Sequence, residues 1–434
     1  MIEEAALAAR EARAQAPAVG DPAYRNYCRR LADQLTVRWP QIRKANEQDV
    51  AAAERRGMPP TLVDRLRLTD AHLDLLTRLA DDVYDALPAA TAPGPELPIG
   101  EWGSRRQIAK PLGVVLMVYE ARPTATIEGA LLCVATGNAV LLRGGKEIAA
   151  TNAELGIAVR RAAELAGLPG ALATVVDDPD RSQLRWLLSR PDVVDVLIPR
   201  GSPSLIDYCR TATSIPVIAS GGGVNHLFVH SSADLRLAVD IALNSKLSEP
   251  TACNALELVL VERGVAEDFA TLLRAAARGQ GGPVTLRLDP ALSAAPDAAP
   301  DAAPDADGTS PDAARVREEP LAAHDFGREV LEPSLGVLVV DDLDTAVAHV
   351  RRYGSAHTEG IVAGDPAAVA AYTGAVDAAA VIVNGSLRLH DGPTMGLGPE
   401  LSISTGRLHV RGPVALDSLL TRQWVVSANG TLRR

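Results

Sequence analysis

Short apolar runs without polar interruption recur along this chain, and they constrain its fold more than any other feature. Residues 113–119 read GVVLMVY, and further runs follow at 140–142, 174–176, 193–198, 216–218 and 227–229. A strand with one wet face alternates apolar and polar residues, so a run without alternation is buried on both faces. Parallel strands of that kind need crossover connections, usually helices. Helix-like stretches such as 147–166 lie between several of the runs. The pattern predicts an α/β fold built on a doubly wound parallel sheet. A second series begins near Asp234, with strand-like runs at 257–261, 335–340, 360–362 and 380–383 and helix-like ones at 266–277 and 344–353. That series predicts a second α/β domain.

The remaining segments have other characters. Residues 1–90 are rich in Ala, Leu and Arg with helical spacing, as in Leu73, Leu76, Leu79, Ala80 and Val83. Thr69 is followed three residues on by His72, where a capping box carries Glu or Gln, so this helix start is only half signalled. Pro93, Pro95, Pro98 and nearby glycines end the helical region. Residues 289–312 include APDAAPDAAPDADGTSPD, an acidic, repetitive tract that cannot bury a core and reads as a disordered surface insertion.

Apolar residues make up 47% of the 434, enough for large cores, and aromatics only 3%, too few for a base-stacking surface. With 43 basic and 54 acidic residues the chain carries −11, which argues against a broad nucleic-acid face. It leaves room for a local cationic pocket. Only Lys44, Lys110, Lys146 and Lys246 are lysines. The four cysteines are irregularly spaced and form neither a disulfide framework nor a zinc pattern. No apolar run approaches the ~18 residues of a membrane span. These features predict a soluble, cytoplasmic protein with reduced thiols.

Several motifs bear on chemistry. The GxGxxG dinucleotide fingerprint is missing. Arg143-Gly144-Gly145-Lys146 and Pro199-Arg200-Gly201-Ser202 each follow a strand and open a helix, where N–H groups and cations can hold phosphate, although each is equally an ordinary turn. His226 and His230 flank a strand-like run; four residues of strand span roughly 13 Å, too far for one ion, so no metal site is expected. Cys28, Cys133 and Cys209 sit in helix-like or apolar segments as packing residues. Cys253 lies in the loop Glu249-Pro250-Thr251-Ala252-Cys253-Asn254, where N–H groups can hold a thiolate.

Ordered blocks over nearly the whole chain resemble the gamma-glutamyl phosphate reductase family, a branch of the aldehyde dehydrogenase superfamily. They include Tyr119-Glu120-Ala121-Arg122-Pro123, Gly137-Asn138-Ala139-Val140-Leu141-Leu142-Arg143-Gly144-Gly145-Lys146, Cys253-Asn254-Ala255, Tyr353-Gly354-Ser355-Ala356-His357-Thr358-Glu359, Gly396-Leu397-Gly398 and Arg411-Gly412-Pro413. The resemblance implies an aldehyde dehydrogenase-like fold: a cofactor domain over 1–223, a catalytic domain over 224–405, and a small β-hairpin oligomerisation element from 97–110 and 406–434. It implies NADPH-dependent reduction of an acyl phosphate through a thioester on Cys253. Asn254 and Thr124 are then candidate oxyanion donors. Arg143, Lys146, Pro199, Arg200, Gly201, Ser202 and Glu329 match cofactor-binding segments, and Arg122, His226, His357 and Arg411 are candidates for the substrate's carboxylate or phosphate. A homo-oligomer, dimer or tetramer, follows from the same resemblance, with room for an association with a glutamate kinase.

One absence fits the chemistry. Segment 217–223 reads VIASGGG, with no carboxylate where hydrolytic relatives keep a water-activating Glu. The chain departs from the family pattern at Thr124 (usually Asn), Asn225 (usually Cys), Thr394-Met395 and Pro399, near where substrate would sit. Two other readings follow: a specialised paralog that reduces another acyl phosphate or a carrier-bound acyl thioester, and a non-catalytic scaffold.

Overall fold

The computed structural model describes residues 2–176, 180–292, 316–428 and 430–432. The chain divides into two compact units, 1–220 with 392–434, and 221–391.

The first unit opens with helices α1 (Ile2–Gln15), α2 (Pro22–Arg55), α3 (Pro60–Leu66) and α4 (Asp70–Thr91). Asp21 caps α2 by accepting from the Ala23 N–H at 2.9 Å, with Pro22 supplying a preset φ in the first turn. At α4 the imidazole of His72 reaches back and accepts from the Thr69 N–H at 3.1 Å. A histidine thus does the work of the Glu that the sequence lacks.

Strands β1 (Leu97–Pro98) and β2 (Ser104–Pro111) are antiparallel. Strands β3 (Val114–Tyr119), β4 (Ala139–Arg143), β5 (Ala173–Val175) and β6 (Val196–Arg200) form a parallel sheet in the order β5-β4-β3-β6. Every residue of β3 is buried, as its unbroken apolar run requires. Helices α5 (Thr124–Ala135), α6 (Ala149–Leu165), α7 (Arg181–Leu188) and α8 (Pro203–Thr211) make the crossovers. The chain winds outward from β3 through β4 to β5, then returns to the other side of β3 as β6. That reversal marks the carboxyl ends of β3 and β6 as the place where such a sheet takes a ligand. The run at 216–218 makes only an isolated bridge, Val217 with Leu197. Pro216 has no N–H to extend a ladder, and three glycines follow.

In the second unit β7 (Asn225–Val229), β8 (Leu256–Glu262), β9 (Val284–Leu288), β10 (Val316–Pro320), β11 (Ser334–Val340), β12 (Thr358–Val362) and β13 (Ala380–Val383) form one parallel sheet. Its order is β10-β9-β11-β8-β7-β12-β13. Helices α9 (Leu235–Leu247), α10 (Ala266–Arg278), α11 (Leu343–Tyr353) and α12 (Pro366–Ala375) complete it. Two apolar clusters fill this unit, one around Phe269 and Leu273 and one around Phe228 and Tyr372.

Three boundaries differ from the sequence expectation. The run at 227–229, read as the last strand of the first series, is β7 of the second sheet; a buried strand does not announce which sheet it joins. The first crossing falls after Ser220, before the expected 223. The second unit closes at Asp391, not at 405, because β14 (Glu400–Ser404) pairs with β15 (Gly412–Ala415) in the first unit. Within the expected insertion, Pro290–Leu292 form a turn and Asp289 accepts from the Val339 N–H at 3.1 Å. The rest of that tract lies outside the described residues. β16 (Leu420–Ser427) pairs with β2 to complete the sheet β1-β2-β16.

Gly113, at the entry to β3, has φ of 133°, and a Cβ there would fall 2.0 Å from Asp195 Oδ2. That carboxylate is itself fixed by the Val114 N–H at 2.7 Å. Gly113→Ala is expected to cost about 2 kcal/mol or more in urea unfolding; an unchanged midpoint would show that Asp195 yields freely.

Candidate active site

The cysteines separate by environment. Cys28, Cys133 and Cys209 are buried, while Cys253 is partly exposed. Burial pushes the Cys28 thiol up to about 12 and Cys209 to about 11, and Cys133 is raised as well. Such thiols stay protonated at neutral pH and are inert. Of the four, Cys253 alone is not buried.

Cys253 lies in the loop that enters β8, at the amino ends of the strands. Four side chains tie that loop down. The carboxamide of Asn225, fully buried at the start of β7, donates to the carbonyl oxygens of Cys253 at 2.8 Å and Ala255 at 2.7 Å. Arg388 binds Glu249 at 2.7 Å and the Asn254 side-chain oxygen. Asn254 Nδ2 donates to the His390 carbonyl at 3.1 Å. The Asn254 carboxamide therefore anchors the loop through its oxygen and one of its two amide protons.

Behind the loop lies a buried polar cluster. Thr358 Oγ1 sits 2.6 Å from His357 Nδ1 and 2.8 Å from His390 Nδ1, and the two rings meet edge to face at 5.5 Å. Ala356, just before this pair, holds φ of 59°, a left-handed conformation that costs an alanine about 1 kcal/mol or more. His226 is 1% exposed and its Nδ1 lies 3.0 Å from Glu359 Oε2. His226 is sealed from solvent and held by Glu359, which corrects its expected place at a substrate carboxylate. His357 is equally buried, with Nδ1 against the Thr358 hydroxyl and Nε2 without a hydrogen-bond partner among the described residues.

Glu329 backs onto the glycine segment of the same unit. It accepts from the Gly223 N–H at 3.3 Å, and a Cβ at Gly222 would meet its carboxylate at 2.5 Å. Its neighbour Val330 is held by Lys246, whose ammonium donates to the Val330 carbonyl at 2.6 Å and to Glu257 at 3.0 Å. Lys246 is fully buried. Burial drives its pKa down and that of Glu257 up to about 8, each opposed by the attraction between them.

In the first unit the loops expected to meet a nucleotide lie at the carboxyl ends of β3, β4 and β6. Gly201 and Ser202 form the turn into α8, and Ser202 Oγ accepts from the Leu205 N–H at 3.4 Å as its N-cap. The Ser202 N–H donates to Glu120 at 3.0 Å, and a Cβ at Gly201 would strike that carboxylate at 2.6 Å. An anion thus already rests at a helix start that attracts one. Glu120 occupies the N–H group at this turn. Arg143 ends β4, half-buried, and Lys146 is exposed. Arg200 is paired with Glu128 at 2.5 Å and Pro199 is buried in β6. Thr124 is the first residue of α5, Arg122 is exposed just before it, and Arg411 is half-buried before β15. Glu120, Asn225, Arg388 and His390 were not assigned roles from sequence. Glu120 carried the one available signal, an acid at a strand end opposite a glycine turn. Among the described residues no three His, Cys, Asp or Glu gather as a metal group, and no helix is long and apolar enough to cross a membrane.

Burial lowers His357 to about 3 and His390 to about 4, from an ordinary 6.5. Between those values and 6.5 the unfolded chain binds protons that the folded one refuses. Stability is therefore complete above about pH 7 and falls as pH drops toward 4, by up to ~1.4 kcal/mol per pH unit for each imidazole. Urea midpoints from pH 7 to 5 check this, and His390→Gln is expected to flatten the slope by about one proton. A slope unchanged in His390→Gln would contradict it.

The aldehyde dehydrogenase family model matches residues 4–296. The chain is 41% identical to the gamma-glutamyl phosphate reductase of Chloroflexus aggregans over 404 residues, covering 91% of this chain and 90% of that one. It is 37% identical to the gamma-glutamyl phosphate reductase of Salmonella schwarzengrund over the full length of both. The crystal structure of gamma-glutamyl phosphate reductase from Thermotoga maritima superposes with a TM-score of 0.88 at 29% identity, covering 100% of each chain. An acetylating aldehyde dehydrogenase from Geobacillus thermoglucosidasius, at 19% identity, shares the fold with a TM-score of 0.70. With the family match spanning most of its length and these identities over nearly all of it, this chain belongs to the aldehyde dehydrogenase family.

Proposed function

We propose that this protein catalyses the NADPH-dependent reduction of L-glutamyl 5-phosphate to glutamate 5-semialdehyde, releasing phosphate, as a step toward proline. The observation that carries the reading is Cys253: the one partly exposed thiol, on a braced loop, in a chain 37% identical end to end to a gamma-glutamyl phosphate reductase.

The Cys253 thiolate attacks the acyl carbon; the new C–S bond forms as the C–O bond to phosphate breaks, and phosphate leaves with the electron pair. NADPH supplies the hydride that reduces the thioester carbon. Collapse of the resulting thiohemiacetal breaks the C–S bond and returns the thiolate. Segment 217–223 carries no carboxylate to activate water, which suits an acyl-enzyme consumed by hydride or phosphate and not by hydrolysis. On this reading Lys146 and Arg143 face the adenosine ribose and its 2′-phosphate, Gly201 and Ser202 take the diphosphate, and Glu329 contacts the nicotinamide ribose. Thr124, at the start of α5, offers its hydroxyl to the oxyanion, and Arg122 and Arg411 remain the cationic groups for the substrate.

A homo-oligomer belongs to the same reading. The sheet β1-β2-β16 exposes Trp424 and Val426, and the turn between β1 and β2 exposes Trp102, apolar area that a second copy would cover. A cytoplasmic location and an association with a glutamate kinase, the source of the labile substrate, complete it. The paralog reading rests on Thr124, Asn225, Thr394 and Pro399, and comparing turnover among acyl donors separates the two. A large preference for glutamate semialdehyde would remove it.

Cys253→Ala is expected to lower phosphate-dependent reduction of NADP+ by glutamate semialdehyde by about 10³-fold or more, with NADP+ still bound. Retained turnover would overturn the assignment.

A further inference from the structure

Asn225 makes three hydrogen bonds, all to peptide groups. Both protons of its amide are used, on the carbonyls of Cys253 and Ala255, which flank Asn254. Its oxygen accepts from the Thr358 N–H at 3.1 Å. From Thr358 the contacts continue through its hydroxyl to His390, and from the His390 carbonyl to Asn254. Asn225, Thr358, His390 and Asn254 thus close a ring through the Cys253 loop. The approach is tight: a Cβ at Gly223 would lie 1.7 Å from the Cys253 oxygen, so only glycine admits it. Because a peptide is planar, fixing that oxygen holds the plane of the bond after Cys253 and with it the position of the Cys253 Cα, from which the thiol side chain leaves the backbone.

We propose that Asn225 is a positioning residue for the reaction, its carboxamide clamping the carbonyls on either side of Asn254 and so holding Cys253 in its reactive conformation. The inference rests on Cys253 as the nucleophile. Asn225 acts through the Cys253 backbone and meets no reacting atom. Few side chains of this size can do so: Asp has no amide donors, and Ser, Thr and Cys have one donor where two carbonyls must be met.

The test compares the wild-type enzyme with Asn225→Ala and Asn225→Ser, the latter keeping one donor. Three quantities are read: the pH profile of Cys253 alkylation by iodoacetamide, located by peptide mass; kcat for phosphate-dependent NADP+ reduction; and NADP+ affinity by equilibrium dialysis. Asn225→Ala is expected to slow alkylation and kcat together by about 10- to 100-fold, as misplacement by an ångström does. Asn225→Ser falls between, and NADP+ affinity stays within about twofold in both. If Asn225→Ala does not fold, the serine variant decides alone. Wild-type alkylation and kcat in a folded variant, whatever its melting temperature, would overturn the proposal while leaving Cys253 as nucleophile. An active Cys253→Ala enzyme would instead sink the nucleophile reading and this one with it.

Discussion

The carbonyl oxygens of Cys253 and Ala255 end on a single buried carboxamide, and the loop that carries Cys253 is tied down at that contact. Backbone groups at the end of a strand have no ladder to satisfy them, and in a buried place each one left unpaired costs about 1–3 kcal/mol. Asn225 at the start of β7 meets two carbonyls ahead of β8 and one N–H at the start of β12. One side chain therefore joins three strand ends beside Cys253. In the first unit the glycine turns lie instead at the carboxyl ends of β4 and β6, beside the point where the strand order reverses.

The second unit spends much of its buried polarity on holding loops. His357, Thr358 and His390 back the cysteine loop, Glu359 fixes His226, and Lys246 with Glu257 braces the segment carrying Glu329. Partnered groups of this kind rigidify their surroundings because moving any one strands the others in a low dielectric. Positive φ at Ala121, beside Glu120, and at Ala356, beside His357, shows the backbone held against its preference at both places.

Much of this was legible in the sequence. Unbroken apolar runs announced β3, β4, β6, β8 and β11, since burial on both faces leaves a local mark. The loop position of Cys253 and the lack of a carboxylate in 217–223 were equally plain. Sheet membership was not: 227–229 reads the same in either sheet. Nor were the partners of His226, His357 and Asn254. Their chemistry suits a substrate as well as a neighbour, and only the folded packing brings Glu359, Thr358 and Arg388 against them. Asn225 stood out in sequence only as a departure from a family pattern, because its two acceptors lie far along the chain.

Rapid mixing of the enzyme with glutamate semialdehyde and NADP+ in phosphate-free buffer tests whether a thioester forms on Cys253 that water does not consume. A burst of about one NADPH per active site and then a stall is expected, with turnover restored on adding phosphate. Steady NADPH formation without phosphate, or no burst, would contradict it.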